Sequence, residues 1–281
     1  MLKISVLSFC LSTIFLSTKF FFLWILSKGL RKRFDFIEIS IEFVFIYLVS
    51  LSFLLGFSHI SYKVSKVASI CIGIILGSAI ISYNFIFYPF LVLIRVSKYK
   101  ITNKYETWFK SQYPVKLSIR ILEDDSVNAY ALGIFNFSKI IFITKGLVEK
   151  MHEDDIKNLI YHELGHLKGN HLLGLYLSNV FCCALSIISA SFFYPKISQL
   201  DNPGLFIFFH GAVFGLLYII IPGLIQRSME FKADRYAVLM VGAVSYSETL
   251  KRLNDATDKG LEKVTLNYPD MKSRLKNVVG I

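Results

Sequence analysis

Long apolar runs constrain this chain more than any other feature. Ile4 to Leu26, about Phe36 to Phe57, about Val67 to Ile94, Leu172 to about Tyr194, and Leu205 to about Ile225 each match or exceed the ~20 residues an α-helix needs to cross a bilayer core. Lipid offers the backbone no hydrogen-bond partners, so each run must satisfy its own N–H and C=O groups as a helix. The chain is 54% hydrophobic, far more than one soluble core can hide. The expected fold is therefore a mainly α membrane protein with about five transmembrane helices.

The formal net charge of +11 does not point to nucleic acid, because the basic residues flank the apolar runs and form no stripe interleaved with exposed aromatics. Anionic lipid headgroups of the bilayer are the expected partner. Lys28, Arg31, Lys32 and Arg33 follow the first run, and Arg95, Lys98, Lys100 and Lys104 follow the third. The positive-inside rule puts both groups in the cytoplasm, with Lys63 and Lys66 a minor counter-signal. The first run is read as a retained helix, since a cleaved signal carries its positive charge ahead of the apolar core. Cys10, Cys71, Cys182 and Cys183 all lie inside apolar runs without C-x-x-C spacing, which excludes a disulfide framework or a cysteine metal site.

Between the third and fourth runs the character changes. Tyr99 to Tyr113 is polar and helix-compatible, and Pro114 ends it. Val115, Leu117, Ile119 and Ile121 alternate with polar residues, as in a half-buried strand. Asn128 to Leu132 (NAYAL) and Ile140 to Thr144 (IIFIT) follow, so a sheet of about three strands is expected, closed by Lys145 and Gly146. Asp154 or Asp155 can cap a helix with apolar Ile156, Leu159, Ile160 and Leu164. The expected organisation is a membrane region over 1–98, the first part of a cytosolic α+β domain over 99–171, a membrane hairpin over 172–225 that returns the chain to the same side, and the rest of the domain over 226–281.

Tyr161 to His171, reading YHELGHLKGNH, holds three of the six histidines. Residues four apart share a helix face, so His162 and His166 can present two imidazoles to one ion with Glu163 beside them. This is the H-E-x-x-H arrangement of zinc peptidases. A catalytic zinc usually has three protein ligands and a water. Beyond the last apolar run, QRSMEFKADRYA (Gln226 to Ala237) offers Glu230 as third ligand and Asp234, one turn on, as acceptor for a ligand histidine's second ring N–H. Taken alone, the stretch reads more readily as a solvated acidic face in which Glu230 and Asp234 pair with Arg227 and Lys232. His171, five residues past His166, is off the ligand face.

HELGH, an apolar hairpin and then E-F-x-A-D-R-x-A resemble the HtpX-type and CAAX-prenyl-protease-type integral-membrane zinc metalloproteases. The resemblance runs from about Val115 to the C-terminus and takes in NAYAL, similar to that family's substrate-side edge strand (Asn128, Ala129, Tyr130, Ala131), and ITKGL at Ile143 to Leu147. It implies a zincin-like catalytic domain and one zinc ion held by His162, His166 and Glu230. Glu163 would be the base and Asp234 an outer partner. Where the family commonly has His-Pro, this chain has Tyr268-Pro269, followed by Arg274; the Tyr268 phenol can still donate to an oxyanion. Arg227 can pair with a carboxylate of the site or with substrate.

The implied function is a zinc endopeptidase acting on peptide or membrane-protein substrates, in membrane-protein quality control at a bacterial inner membrane. Three other readings compete. A BlaR-type signalling metallopeptidase needs an external sensor domain, and no external loop here is long enough. A site-2-type intramembrane protease carries its motif in an apolar span, whereas this motif lies among Asp154, Asp155, Lys157 and Lys168. A non-catalytic scaffold would close the zinc with a fourth protein ligand, for which His171 is the spare residue nearby.

Overall fold

The computed structural model of the chain describes residues 66–82, 85–86, 104–113, 117–197, 203–258, 260–262 and 268–280. The expected spans Ile4 to Leu26 and Phe36 to Phe57 lie outside the described residues. The elements are α1 (Lys66–Ser82), α2 (Lys104–Gln112), β1 (Ser118–Leu122), β2 (Ala129–Leu132), β3 (Ile140–Thr144), α3 (Lys145–Lys150), α4 (Glu153–Lys168), α5 (His171–Ile197), α6 (Pro203–Val241), α7 (Ala243–Ala256) and α8 (Met271–Val279). Among the described residues the chain is mostly helical with one small sheet, as its pattern implies. Ser82–Cys182 and Phe208–Ile281 form one compact unit, which holds every residue of the site.

The sheet has the order β1-β3-β2. IIFIT is apolar without alternation because it is the central strand, buried at all its positions. β1 runs parallel to it with Ile119 opposite Ile141, and β2 antiparallel with Ala131 opposite Ile141, which leaves β2 at an edge among the described residues. The sheet ends at Thr144, and Lys145 and Gly146 directly open α3, because Thr144 Oγ1 accepts the Leu147 N–H and caps a helix there.

The apolar spacing of α4 buries Ile156, Leu159, Ile160 and Leu164 against Ile119, Ile141 and Ile143 of the sheet. Each such side chain contributes about 1.5–3 kcal/mol by leaving water. Neither Asp154 nor Asp155 is its cap. The helix begins at Glu153 with His152 as N-cap, and Asp155 is buried within the first turn. There it accepts a hydrogen bond from Thr249 Oγ1 at 2.7 Å and pairs with Arg252 Nε at 2.8 Å, tying α4 to α7. α7 and α8 close a second core of Tyr246, Leu250, Met271 and Val278 on Ala237 and Val238 of α6.

His171–Ser189 of α5 is the one helical segment among the described residues long and apolar enough to cross a membrane. α5 continues through Pro195 to Ile197, so the turn expected from Pro195 starts later. The helix does not stop where the apolar run ends at Ile225. α6 is one helix of 39 residues, about 58 Å at 1.5 Å per residue, joining the apolar run to the charged stretch that carries Glu230. From Gln226 onward the residues are good helix formers, and neither glycine nor proline interrupts them until Gly242, whose φ of 85° ends the helix.

Candidate metal centre

Two helices meet at a glycine. A Cβ on Gly165, inside HELGH, would stand 3.0 Å from Ala233 Cα on α6 and 3.0 Å from Tyr236 Cβ, so only a residue without a side chain lets α4 and α6 approach this closely. That approach brings Glu230 over the two histidines. His162 Nε2 and His166 Nε2 lie 3.1 Å apart, and Glu230 presents Oε2 3.5 Å from the first and Oε1 3.5 Å from the second. One donor atom from each falls within 4.8 Å of the others. A tetrahedral zinc with bonds of about 2.0–2.1 Å spaces its ligands by about 3.3 Å, so this donor set fits such an ion.

Each histidine is held from behind. His162 Nδ1 is 3.0 Å from Asp234 Oδ1 and 2.9 Å from the Tyr246 hydroxyl, which itself donates to Asp234 Oδ1 at 2.7 Å. Arg274 completes the cluster, its Nε donating to Asp234 Oδ2 at 3.0 Å and its Nη2 to Oδ1. Asp234 is fully buried and saturated with donors. On the other side His166 Nδ1 is 2.9 Å from His171 Nδ1. When His166 keeps a lone pair on Nε2, its Nδ1–H donates to His171. The His171 ring lies so close to Gly169 that a Cβ there would meet Nε2 at 2.3 Å.

The charges follow the burial. Burial opposes a proton on His162, but hydrogen bonds to Asp234 and Glu230 outweigh it and raise its pKa to about 9. His166, buried beside a charged His162, falls to about 3. Burial pushes Glu163 up to about 7, with the like charge of Glu230 adding to it, while the Ala131 N–H of β2 bonds the carboxylate and pulls the other way. Burial would also raise Glu230 and Asp234. His162 holds the first below the usual carboxylate range, and Arg274 with His162 holds the second there.

The other expected residues are near but distinct. Ala129, Tyr130 and Ala131 form the edge strand, whereas Asn128 precedes it and spends its backbone N–H and C=O on Thr144. Tyr268 is half exposed, and its phenol is pushed up to about 12 by burial and then by the charges of Glu230 and Glu163. Arg227 stands by Asp270, whose carboxyl is held low by hydrogen bonds from Ser273 and then by this arginine. Tyr246 escaped the sequence reading altogether, and Arg274 entered it only as a landmark after Tyr268-Pro269.

Residues 107–281 match the family described as Peptidase family M48. The chain belongs to peptidase family M48. Within that family it is 34% identical over 183 residues to a protease HtpX homolog of Bacteroides fragilis, covering 64% of this chain and 52% of that one. It is 23% identical over 185 residues to protease HtpX of Xylella fastidiosa, covering 56% of this chain and 64% of that one. The M48 chain thus spans about half to two thirds of the length of the curated relatives it matches. Its fold is similar to the crystal structure of S. mikatae Ste24p, with a TM-score of 0.59 at 18% identity, over 91% of this chain and 66% of the other.

Proposed function

We infer that this M48 chain is a zinc-dependent membrane endopeptidase with His162, His166 and Glu230 as metal ligands and Glu163 as catalytic base. One observation carries the reading. Three donors from two helices converge within reach of one ion, and Glu163 stands beside them on the same helix turn. A fourth protein ligand would argue for a structural zinc, but His171 turns its Nδ1 to His166 instead, which leaves a position for chemistry. The scaffold reading is weaker for that reason.

His162, His166 and Glu230 would hold the divalent ion, which would supply Lewis acidity toward a peptide carbonyl and water. Glu163 takes the proton of that water and passes it to the leaving amine nitrogen. Its pKa of about 7 in the metal-free protein already lies close to working pH. An extended peptide pairs with β2, an edge strand among the described residues, along Ala129 to Ala131, which lays its carbonyl beside Glu163. Tyr268 donates its phenolic hydrogen to the oxyanion, and Arg227 has a structural role beside Asp270. Residues 99–171 and 226–281 make the peptidase domain, facing the cytoplasm of a bacterial inner membrane. Residues 172–225 form a membrane hairpin, and 1–98 supply about three further spans. Substrates are membrane proteins undergoing quality control, as the likeness to HtpX suggests.

Glu163→Gln should keep fold and zinc while abolishing cleavage of a co-expressed misfolded membrane protein. Purified wild-type chain without zinc by elemental analysis, or a Glu163→Gln variant that still cleaves, would refute the assignment.

A further inference from the structure

The loop between β2 and β3 carries two aromatic side chains that the described residues leave largely uncovered. Phe137 is 86% exposed and Phe135 46%, and their rings stack on one another at 5.5 Å, nearly parallel. Among the described residues the other exposed phenylalanines, Phe181 and Phe192, both lie on α5. Water-exposed aromatics on a loop lose hydrophobic free energy unless another apolar phase receives them.

The loop's position says which phase. Gly133 and Ile134, at its start, line one small hollow with Leu172 and Leu173, in the first turn of the apolar segment His171–Ser189. The loop therefore stands level with the entry of that segment. It also tolerates an apolar surrounding. Residues 133–138 contain no ionisable side chain, and the turn closes on itself, with Ser138 N–H bonded to Phe135 O at 2.9 Å and Phe135 N–H to Ser138 Oγ at 3.2 Å. Just behind it come the cations. Lys139 Nζ clamps Leu167 O and Asn170 Oδ1, both at 2.9 Å, and the exposed Lys168 lies one turn before α5. Aromatics ahead of lysines, beside the mouth of a span, are arranged as a membrane-interface element is.

We propose that Phe135 and Phe137 insert into the headgroup boundary of the bilayer and anchor the β2–β3 loop there. The proposal rests on the reading of α5 as a membrane span. Its consequence reaches the site. β2 runs directly into the loop, and Ala131, whose N–H bonds Glu163, precedes Phe137 by six residues, at most about 20 Å of extended chain. The anchor fixes the edge strand close to the lipid surface, so the peptide bonds it can receive belong to segments lying against the membrane.

The test uses the full chain in nanodiscs of mixed zwitterionic and anionic lipid. Trifluoromethyl-phenylalanine is placed singly at Phe137, at Phe135, at Phe181 of α5 and at the exposed Val244 of α7, and read by fluorine NMR. The quenchers are a lipid spin-labelled near its headgroup and a water-soluble gadolinium chelate. Signals at 135, 137 and 181 should be lost to the lipid radical and survive the chelate, with 244 the reverse. Signals at 135 and 137 that follow 244 while 181 stays in lipid would overturn the anchor and leave the span intact, making the aromatic pair a surface open to a soluble peptide. Loss of the 181 signal to the chelate would overturn both the anchor and the span.

Discussion

Arg274→Met isolates the group on which the metal centre's rigidity depends. The wild-type guanidinium makes two hydrogen bonds to Asp234, through Nε at 3.0 Å and through Nη2, and touches the Tyr246 hydroxyl at 3.3 Å. Asp234 is fully buried, so its carboxylate cannot recover by turning to water. Removing one partner of a buried ion pair costs about 3–5 kcal/mol, because the survivor keeps its charge without its counter-charge. At about 2–4 °C per kcal/mol for a domain of this size, the melting temperature should fall by roughly 6–20 °C. The measurement is thermal unfolding of the full chain in detergent with a chelator present, since a bound ion adds stability by mass action and would mask part of the loss. Asp234→Asn combined with Arg274→Met removes both charges and should recover part of the shift. A drop below about 2 °C for the single variant, or a double variant no better than it, would refute the argument that Arg274 neutralises Asp234.

Further outcomes follow from the same geometry. Glu230→Gln should lower zinc content measured by elemental analysis, and an unchanged stoichiometry would remove Glu230 from the ligand set. His171→Ala removes the acceptor behind His166 and should weaken zinc binding about 10–100-fold in a chelator competition, with His171→Gln restoring part; an affinity within about threefold of wild type would deny it that role. In the metal-free protein His162 has a pKa raised to about 9, so its contribution to stability is complete below its ordinary value near 6.5 and is lost as pH rises through about 9. Zinc needs the neutral ring, so uptake at pH 7 should release about one proton from His162 plus part of one from Glu163, and between about pH 7 and 9 affinity should fall about tenfold per pH unit lowered. Calorimetry in two buffers of different ionisation enthalpy measures this, and zero proton release would contradict it.

What could be read from the chain was what local spacing encodes. His162, Glu163 and His166 lie within one helical turn, and the alternation around Ile119 and the unbroken IIFIT run distinguish an outer strand from the central one. Glu230 stood out only as part of a charged helical stretch after an apolar run, and it was the family resemblance, not that stretch, that set it above a solvated acidic face. The failures are all tertiary. Asp155 reads as a cap, but its partners Thr249 and Arg252 lie 94 and 97 residues away and take it into the interior. Tyr246 sits in an undistinguished Ser-Tyr-Ser, and only the packing of α7 on α6 sets its hydroxyl against Asp234 and His162. The Gly165 contact with Ala233 depends on two helices crossing, which no window of either helix records.

The charges meeting at the centre give a reason why a cation belongs there. Glu163, Glu230 and Asp234 bring three carboxyl groups into one buried space, and the Arg274 guanidinium is committed to Asp234. Glu230 and Glu163 are left facing two imidazoles. Without metal, the deficit is met by protons: His162 holds one up to about pH 9, and Glu163 is half protonated near pH 7. His166, at about 3, carries none to give. A divalent cation held by His162, His166 and Glu230 would take over from those protons, so its binding would displace the proton from His162 and draw Glu163 toward its ionised form. On the proposed mechanism, the ring that would bind through Nε2 and the carboxylate that would accept a proton are then both prepared by one event. The orientation of His162 survives that exchange because Asp234, pinned by Arg274 and Tyr246, still accepts its Nδ1–H.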